Sequence, residues 1–340
     1  MINITLVVGF GIFLVYFLLS RVNLSDIKDA FLNLYIPSIV IGLILMFTID
    51  FFKAYRTKIL IGSDRVGIRD MFLVSLVRNA FNMVLPARTG ELSYIYVLRR
   101  KFKFPVEIGI STLMIALVFD LVIVFSMIVV SIIIVGVNRF EVSSTSVIII
   151  AVALLVVSLL ILLFLSKIID IVVKILDKII PKTSKLGKNK VYKNIYQKLL
   201  DTNKNIEIIQ KRRIYWKVLL ASLATRILKF TSYYFLIHAA LHPLGYDFSD
   251  LSYWVIFLAA VAAELSAVLP THALAGFGTY EGAFALVLVM LGFSEDPSII
   301  GGFNFHLVNL MFTVAMGIIA IIILSLPFYR VKEEKLEKKD

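Results

Sequence analysis

The sequence predicts an all-α polytopic membrane protein with about 8 spans, broken or re-entrant helical hairpins and two halves related as an inverted repeat. Three observations predict it. The 340 residues are 60% hydrophobic and only 17% charged, with a mean hydropathy of +0.93, whereas a soluble domain is roughly half apolar and a quarter charged. The apolar residues come in runs of about 20 or more, the length that crosses a bilayer. The charges collect between the runs. A soluble globule already has an apolar majority on its surface and could not hide this excess, so a soluble enzyme, a disordered chain and a nucleic-acid binder are excluded. The net charge of +12 reads as an orientation signal and as contact with anionic headgroups.

The first run, 2–20, lacks a basic n-region and a small-residue cleavage site, so it is expected to be a retained span and not a signal peptide. Leu24, Ile27, Phe31 and Leu34 recur at helical spacing, which predicts a surface helix over 24–34. Spans are expected at 36–52, 105–135, 146–166, 216–241, 251–269 and 298–327, with a broken segment at 71–98 and a short run at 281–292. Over 167–180 a stripe of Lys167, Asp170, Lys174, Asp177 and Lys178 faces away from Ile, Val and Leu, which suits either a surface helix or an extension of the preceding span.

Lysine and arginine set the orientation. Lys53, Arg56, Lys58, Arg65 and Arg69 are read as one loop, with Asp50, Lys53 and Arg56 as interfacial anchors. Arg99, Arg100, Lys101 and Lys103 form another basic loop, and the longest loop, 182–215, carries ten Lys/Arg. These loops and the C-terminus are expected in the cytoplasm, with the chain in the plasma membrane. The parity works only if 71–98 enters and leaves on one side, as a helical hairpin. Residues 1–330 then form one transmembrane domain, with halves 1–166 and 214–330 joined by the basic segment 167–213 and followed by a charged tail, 331–340.

Two breaks interrupt the apolar pattern. Val84-Leu85-Pro86-Ala87-Arg88-Thr89-Gly90-Glu91 and Val268-Leu269-Pro270 through Gly276-Phe277-Gly278-Thr279-Tyr280-Glu281 both open Val-Leu-Pro and close Thr-x-Glu. Proline removes a backbone donor and disfavours helix in the residue before it. Each site is therefore a helix stop, a linker and a new start, with Thr89 and Thr279 as N-caps and Glu91 and Glu281 in the first turn. Non-helical backbone at membrane depth survives only when buried in protein or lining a wet cavity.

Charges inside spans are functional candidates by default. Arg78, Arg88, Glu91, Asp120, Arg226, Glu264 and Glu281 fall in this class, and Asn79 and Asn82 extend a polar stripe from Arg78. Aligning the two breaks suggests an Arg78–Glu264 pair; depth suggests an Asp120–Arg226 pair with a supporting role. The expected substrate-binding set is Arg78, Asn79, Asn82, Arg88, Glu91, Glu264, His272, Thr279, Tyr280 and Glu281. The chain has no cysteine and four histidines without ligand spacing, so no metal and no cofactor is expected.

Asn79, Leu85-Pro86-Ala87-Arg88-x-Gly90-Glu91 and Gly276-x-Gly278-x-x-Glu281-Gly282, with the order of the spans, resemble the lysylphosphatidylglycerol synthase transmembrane region, a flippase-like family. The resemblance implies lipid translocation, or the membrane half of a lipid-modifying or glycosylation system. It carries over no synthase activity. The family often shows Glu-Arg-x-x-Asp in the helix after the first motif; here Ala116 and Leu117 precede Asp120, which puts in doubt any role needing that Glu-Arg.

The reading is a flippase or scramblase for an anionic phosphate-bearing lipid, a phospholipid or a polyprenyl-phosphate-linked sugar. Arg88 with Arg78 would take the phosphate, and Glu91 and Glu281 would hold these arginines in the empty site. The alternatives are a membrane-embedded lipid-modifying or glycosyl transferase, or its accessory subunit, and an ion-coupled small-solute transporter. Membrane lipids are the expected partners. A separate synthase or glycosyltransferase and a second copy of the chain are the candidate protein partners.

Overall fold

The computed structural model describes residues 13–85, 89–135, 144–180, 189–267, 274–326 and 329. After a helical segment over 13–19 come α1 (Leu24–Leu32), α2 (Ile36–Ile61), α3 (Ile68–Val84), α4 (Glu91–Arg100), α5 (Val106–Val135) and α6 (Ser144–Ile179). Then follow α7 (Lys190–Lys211), α8 (Tyr215–Leu241), α9 (Tyr253–Ser266), α10 (Thr279–Met290) and α11 (Glu295–Ser325). Among the described residues there is no strand. Four helices, α2, α5, α6 and α11, are long and apolar enough to cross a membrane, and this is an all-α membrane protein.

The two breaks turn the chain into hairpins. α4 has 10 residues, about 15 Å at 1.5 Å per residue, half of a hydrocarbon core of about 30 Å. It is too short to cross on its own, and it packs against α3 as the second arm of a hairpin. The expected span 251–269 is also shorter than its apolar run. α9 has 14 residues and α10 has 12, about 21 and 18 Å, and they pack on each other as the second hairpin.

Helix α2 lies along α8 as the spine of the fold. The two approach closely because Gly42 offers no side chain: a Cβ there would stand 2.6 Å from Leu236, and Ser232 Oγ donates to the Gly42 carbonyl at 2.8 Å. Helix α3 packs on α11, where a Cβ on Gly317 would overlap Ala80 at 2.2 Å. Aromatic residues Phe230, Phe257, Phe284 and Phe305 tie α8 to α11 into one core. Met71, Tyr94 and Leu98 centre a second core under α3, α4 and α11, and Ile115, Phe119, Leu165 and Ile206 a third under α5, α6 and α7.

Two boundaries differ from expectation, and one left open between two readings is decided. α2 does not end at 52 but runs to Ile61, because Asp50, Lys53 and Arg56 share a face that turns inward. The stretch 167–180 continues the preceding span as α6, with a kink at Phe164 (φ −113°, ψ 18°). The 182–215 loop contains α7, a 22-residue helix that packs on α5 and α6 through Ile206 and Ile209. Its polar face is bonded too: Lys198 reaches Glu107 at 2.7 Å and Asn203 reaches Asp170 at 2.7 Å.

Candidate functional site

A cavity of about 440 Å³ opens among the helices and takes its polar lining from α2, α3, α4, α5, α8, α9, α10 and α11. Helical periodicity explains why one stripe from each helix reaches it. Asp50, Lys53 and Arg56 come from α2; Arg78, Asn79 and Asn82 from α3; Thr225, Arg226, Lys229 and Tyr233 from α8. Asp120 of α5, Glu264 of α9, Glu91 of α4, Tyr280 of α10 and Asn309 of α11 complete it.

Three charge groups form inside. In the first, Asp120 holds two arginines, Arg56 at 2.5 Å and Arg226 at 2.7 Å. Arg56 also donates to Ser222 at 2.8 Å, and Arg226 stands 3.6 Å from Glu264, which pairs with Lys229. In the second, Asp50 accepts from Asn79 at 2.5 Å and lies 3.4 Å from Lys53, which donates to the Asn79 amide oxygen at 3.2 Å. The charges of both groups are paired, as buried charges must be to offset lost hydration, although Arg56 and Arg226 each keep an Nε without a hydrogen-bond partner.

The third group is Arg78 and Glu91, and it is open. Arg78 is 7% exposed and its guanidinium lies over the Tyr94 ring at 5.7 Å. Its Nε has no hydrogen-bond partner, and the Glu91 Oε2 that it faces stands off at 3.9 Å without a partner of its own. Glu91 is held from the other side by Asn82, which donates to Oε1 at 2.8 Å. The lining as a whole carries five cations, Lys53, Arg56, Arg78, Arg226 and Lys229, against the carboxylates of Asp50, Glu91, Asp120 and Glu264. The described lining thus has one more cation than carboxylates. Among the described residues no three His, Asp or Glu side chains gather to hold a metal ion.

The sequence-derived residues divide. Arg78, Asn79, Asn82, Glu91, Glu264 and Tyr280 line the cavity with Asp120 and Arg226. The Asp120–Arg226 contact forms. The Arg78–Glu264 pair does not: Arg78 faces Glu91, and Glu264 turns to Arg226 and Lys229. Arg88 and His272 lie outside the described residues.

Glu281 does not hold an arginine. It is fully buried, its Oε1 2.5 Å from His306 Nδ1 and its Oε2 accepting from the Gly278 N–H at 2.7 Å. Thr279 is buried beside it, its hydroxyl donating to Gly276 O at 3.1 Å. The N-caps are Gly90 and Gly278, not Thr89 and Thr279. Left-handed backbone at Ala275, Gly276 and Gly278 explains the second shift, since Gly278, at φ 87°, adopts what threonine resists.

Asp50, Lys53 and Arg56 are cavity residues and not interfacial anchors, and Lys229, Tyr233 and Asn309 join them unforeseen. The signal for the first three was their three-residue spacing, which places them on one helix face.

The model of the lysylphosphatidylglycerol synthase TM region matches residues 3–317. The chain belongs to that family. The match runs from the first apolar run into α11 and so takes in both hairpins and every described cavity residue. No curated protein matches the chain. Membership makes this a membrane protein of a lipid-related family. Ala116 and Leu117, ahead of Asp120, line the cavity, and the arginines on Asp120 come from α2 and α8.

Proposed function

We propose that the chain carries the phosphate-bearing headgroup of an anionic lipid, a phospholipid or a polyprenyl-phosphate-linked sugar, through the central cavity while the tails stay in lipid. The observation that carries this reading is Arg78: buried, lining the cavity, with its Nε unbonded and the carboxylate it faces 3.9 Å away. Arginine presents a planar fork that matches phosphate oxygens bidentately. Glu91 stands as the internal substitute, near enough to neutralise Arg78 and too far to bond it. The two arginines on Asp120 add positive potential and hold the α2, α5 and α8 walls together.

Two hairpins broken at corresponding places support an inverted repeat of the halves 1–166 and 214–330, an arrangement in which a central site is opened to each side in turn. The basic segments, α7 among them, then face the cytoplasm of a plasma-membrane protein.

The test is lipid flux in proteoliposomes. Labelled phosphatidylglycerol and a polyprenyl-phosphate sugar are compared with labelled phosphatidylcholine. Flux of one or both anionic lipids well above that of the zwitterionic lipid supports the reading. Equal flux of all three, or none through folded protein, overturns it.

A further inference from the structure

A second concavity lies on the other face of the first hairpin. It has a volume of about 650 Å³ and is lined by Phe81 and Leu85 of the α3 end, by α4, and by Ile321, Leu324 and Ser325 of α11. α4 shows why it exists. Tyr94 and Leu98 are buried in the core beneath, while two adjacent stripes at i, i+4 spacing, Thr89-Ser93-Val97-Lys101 and Leu92-Tyr96-Arg100, turn to the concavity. Leu92 and Tyr96 are 65% and 62% exposed. From Thr89 to Lys101 the helical rise is about 18 Å, close to one leaflet of a hydrocarbon core about 30 Å thick.

Among the described residues the charge is all at one end: Arg100 and Lys101 are the ionisable side chains that line the groove besides Tyr96, and no described carboxylate lines it. Each cation is steered by an aromatic face, Arg100 over Tyr96 at 5.8 Å and Lys101 over Tyr329 at 5.2 Å. Asp70, which reaches Tyr329, is already taken by the Tyr329 hydroxyl and by the Gly67 N–H at 2.6 Å. An apolar trough one leaflet deep, ending in two cations with no acid among the described lining residues, is complementary to an anionic phospholipid.

We propose that this groove holds one phospholipid of net negative charge, its phosphate at Arg100 and Lys101 and an acyl chain lying along Tyr96, Leu92 and Phe81. The site is separate from the cavity, and the inference does not rest on transport. The bound lipid braces the outside of the α3–α4 hairpin, whose inner face carries Arg78, Asn82 and Glu91.

The test uses full-length protein in vesicles with bromine on the acyl chains, which quenches nearby tryptophan. Ile321→Trp places a reporter in the groove, and Leu163→Trp places one on the exposed outer face of α6 as a control; the signal of native Trp216 and Trp254 is subtracted from a parallel titration of the parent protein. Brominated phosphatidylglycerol is titrated against phosphatidylcholine. The proposal expects a preference for phosphatidylglycerol of roughly tenfold at position 321, from two cations at a membrane surface, near unity at 163, and lost at 321 when Arg100→Gln and Lys101→Gln are added. Equal quenching by the two lipids at 321 overturns it and leaves an ordinary annular position. No quenching at 321 while 163 is quenched also overturns it and means that protein fills the groove. A preference that survives the double substitution overturns the role of the two cations.

Discussion

Arg78 and Glu91 face each other across the first break at 3.9 Å, close enough to neutralise and too far to bond. They sit on opposite arms of one hairpin, and Asn82 keeps the carboxylate turned. A buried arginine held this loosely is poised to exchange its partner. Glu91→Gln removes the competitor and leaves Asn82 a partner. It should raise the affinity for a soluble phosphate headgroup such as glycerol phosphate, about threefold to fivefold, the scale of one part-exposed ion pair. Isothermal titration of the purified variant against the parent checks this; unchanged or weaker binding would count against Glu91 as the substitute.

Asp120 is the keystone of the buried network. Asp120→Asn removes the carboxylate that Arg56 and Arg226 share, leaving Arg56 only Ser222 and Arg226 only the longer contact to Glu264, and should cost about 3–5 kcal/mol of stability. Arg56→Gln should cost less, since Asp120 keeps Arg226 at 2.7 Å. Thermal unfolding in detergent, read by fluorescence-detected size exclusion, should rank Asp120→Asn below Arg56→Gln.

Gly90 allows the hairpin to close. Its φ is an ordinary −57°, so conformational freedom is not the issue; contact is. A Cβ at this position would lie 2.2 Å from the Asn82 backbone nitrogen. Gly90→Ala should destabilise the protein by about 1–3 kcal/mol, as overpacking does, and should displace Glu91 from Arg78. The same unfolding assay checks the first effect, and weakened glycerol phosphate binding the second.

Glu281 and His306 lock the second break from beneath, at 0% and 1% exposure. Glu281→Ala leaves the Gly278 N–H and the His306 ring without their partner, a loss of about 1–3 kcal/mol. Hydrogen exchange should quicken locally over 274–282 while α2 and α8 stay protected. Uniform exchange across the chain would contradict a local lock.

How far the sequence could be read follows from these residues. Apolar runs and the two Val-Leu-Pro breaks were legible because span length and proline chemistry are local. Arg78, Glu91 and Asp120 were legible because charge inside an apolar run needs a reason. Asp50, Lys53 and Arg56 were misread because nothing local separates a helix that leaves the membrane from one whose charged face turns inward; the difference is α5 and α8, which bring Asp120, Ser222 and Arg226. The Glu281–His306 contact joins α10 to α11 across 25 residues, and no spacing rule announces it. α7 was hidden by its lysines, which make the stretch read as a charged loop, although Ile206 and Ile209 anchor it and Lys198 reaches Glu107.

The most direct test of the central claim is the rate of anionic-lipid translocation by Arg78→Gln in proteoliposomes, with monodisperse, folded protein as the condition. The account predicts a fall of about tenfold or more, the scale of a charge-assisted hydrogen bond to phosphate, with the Asp120 network intact. Parent-level flux through folded Arg78→Gln protein would contradict it.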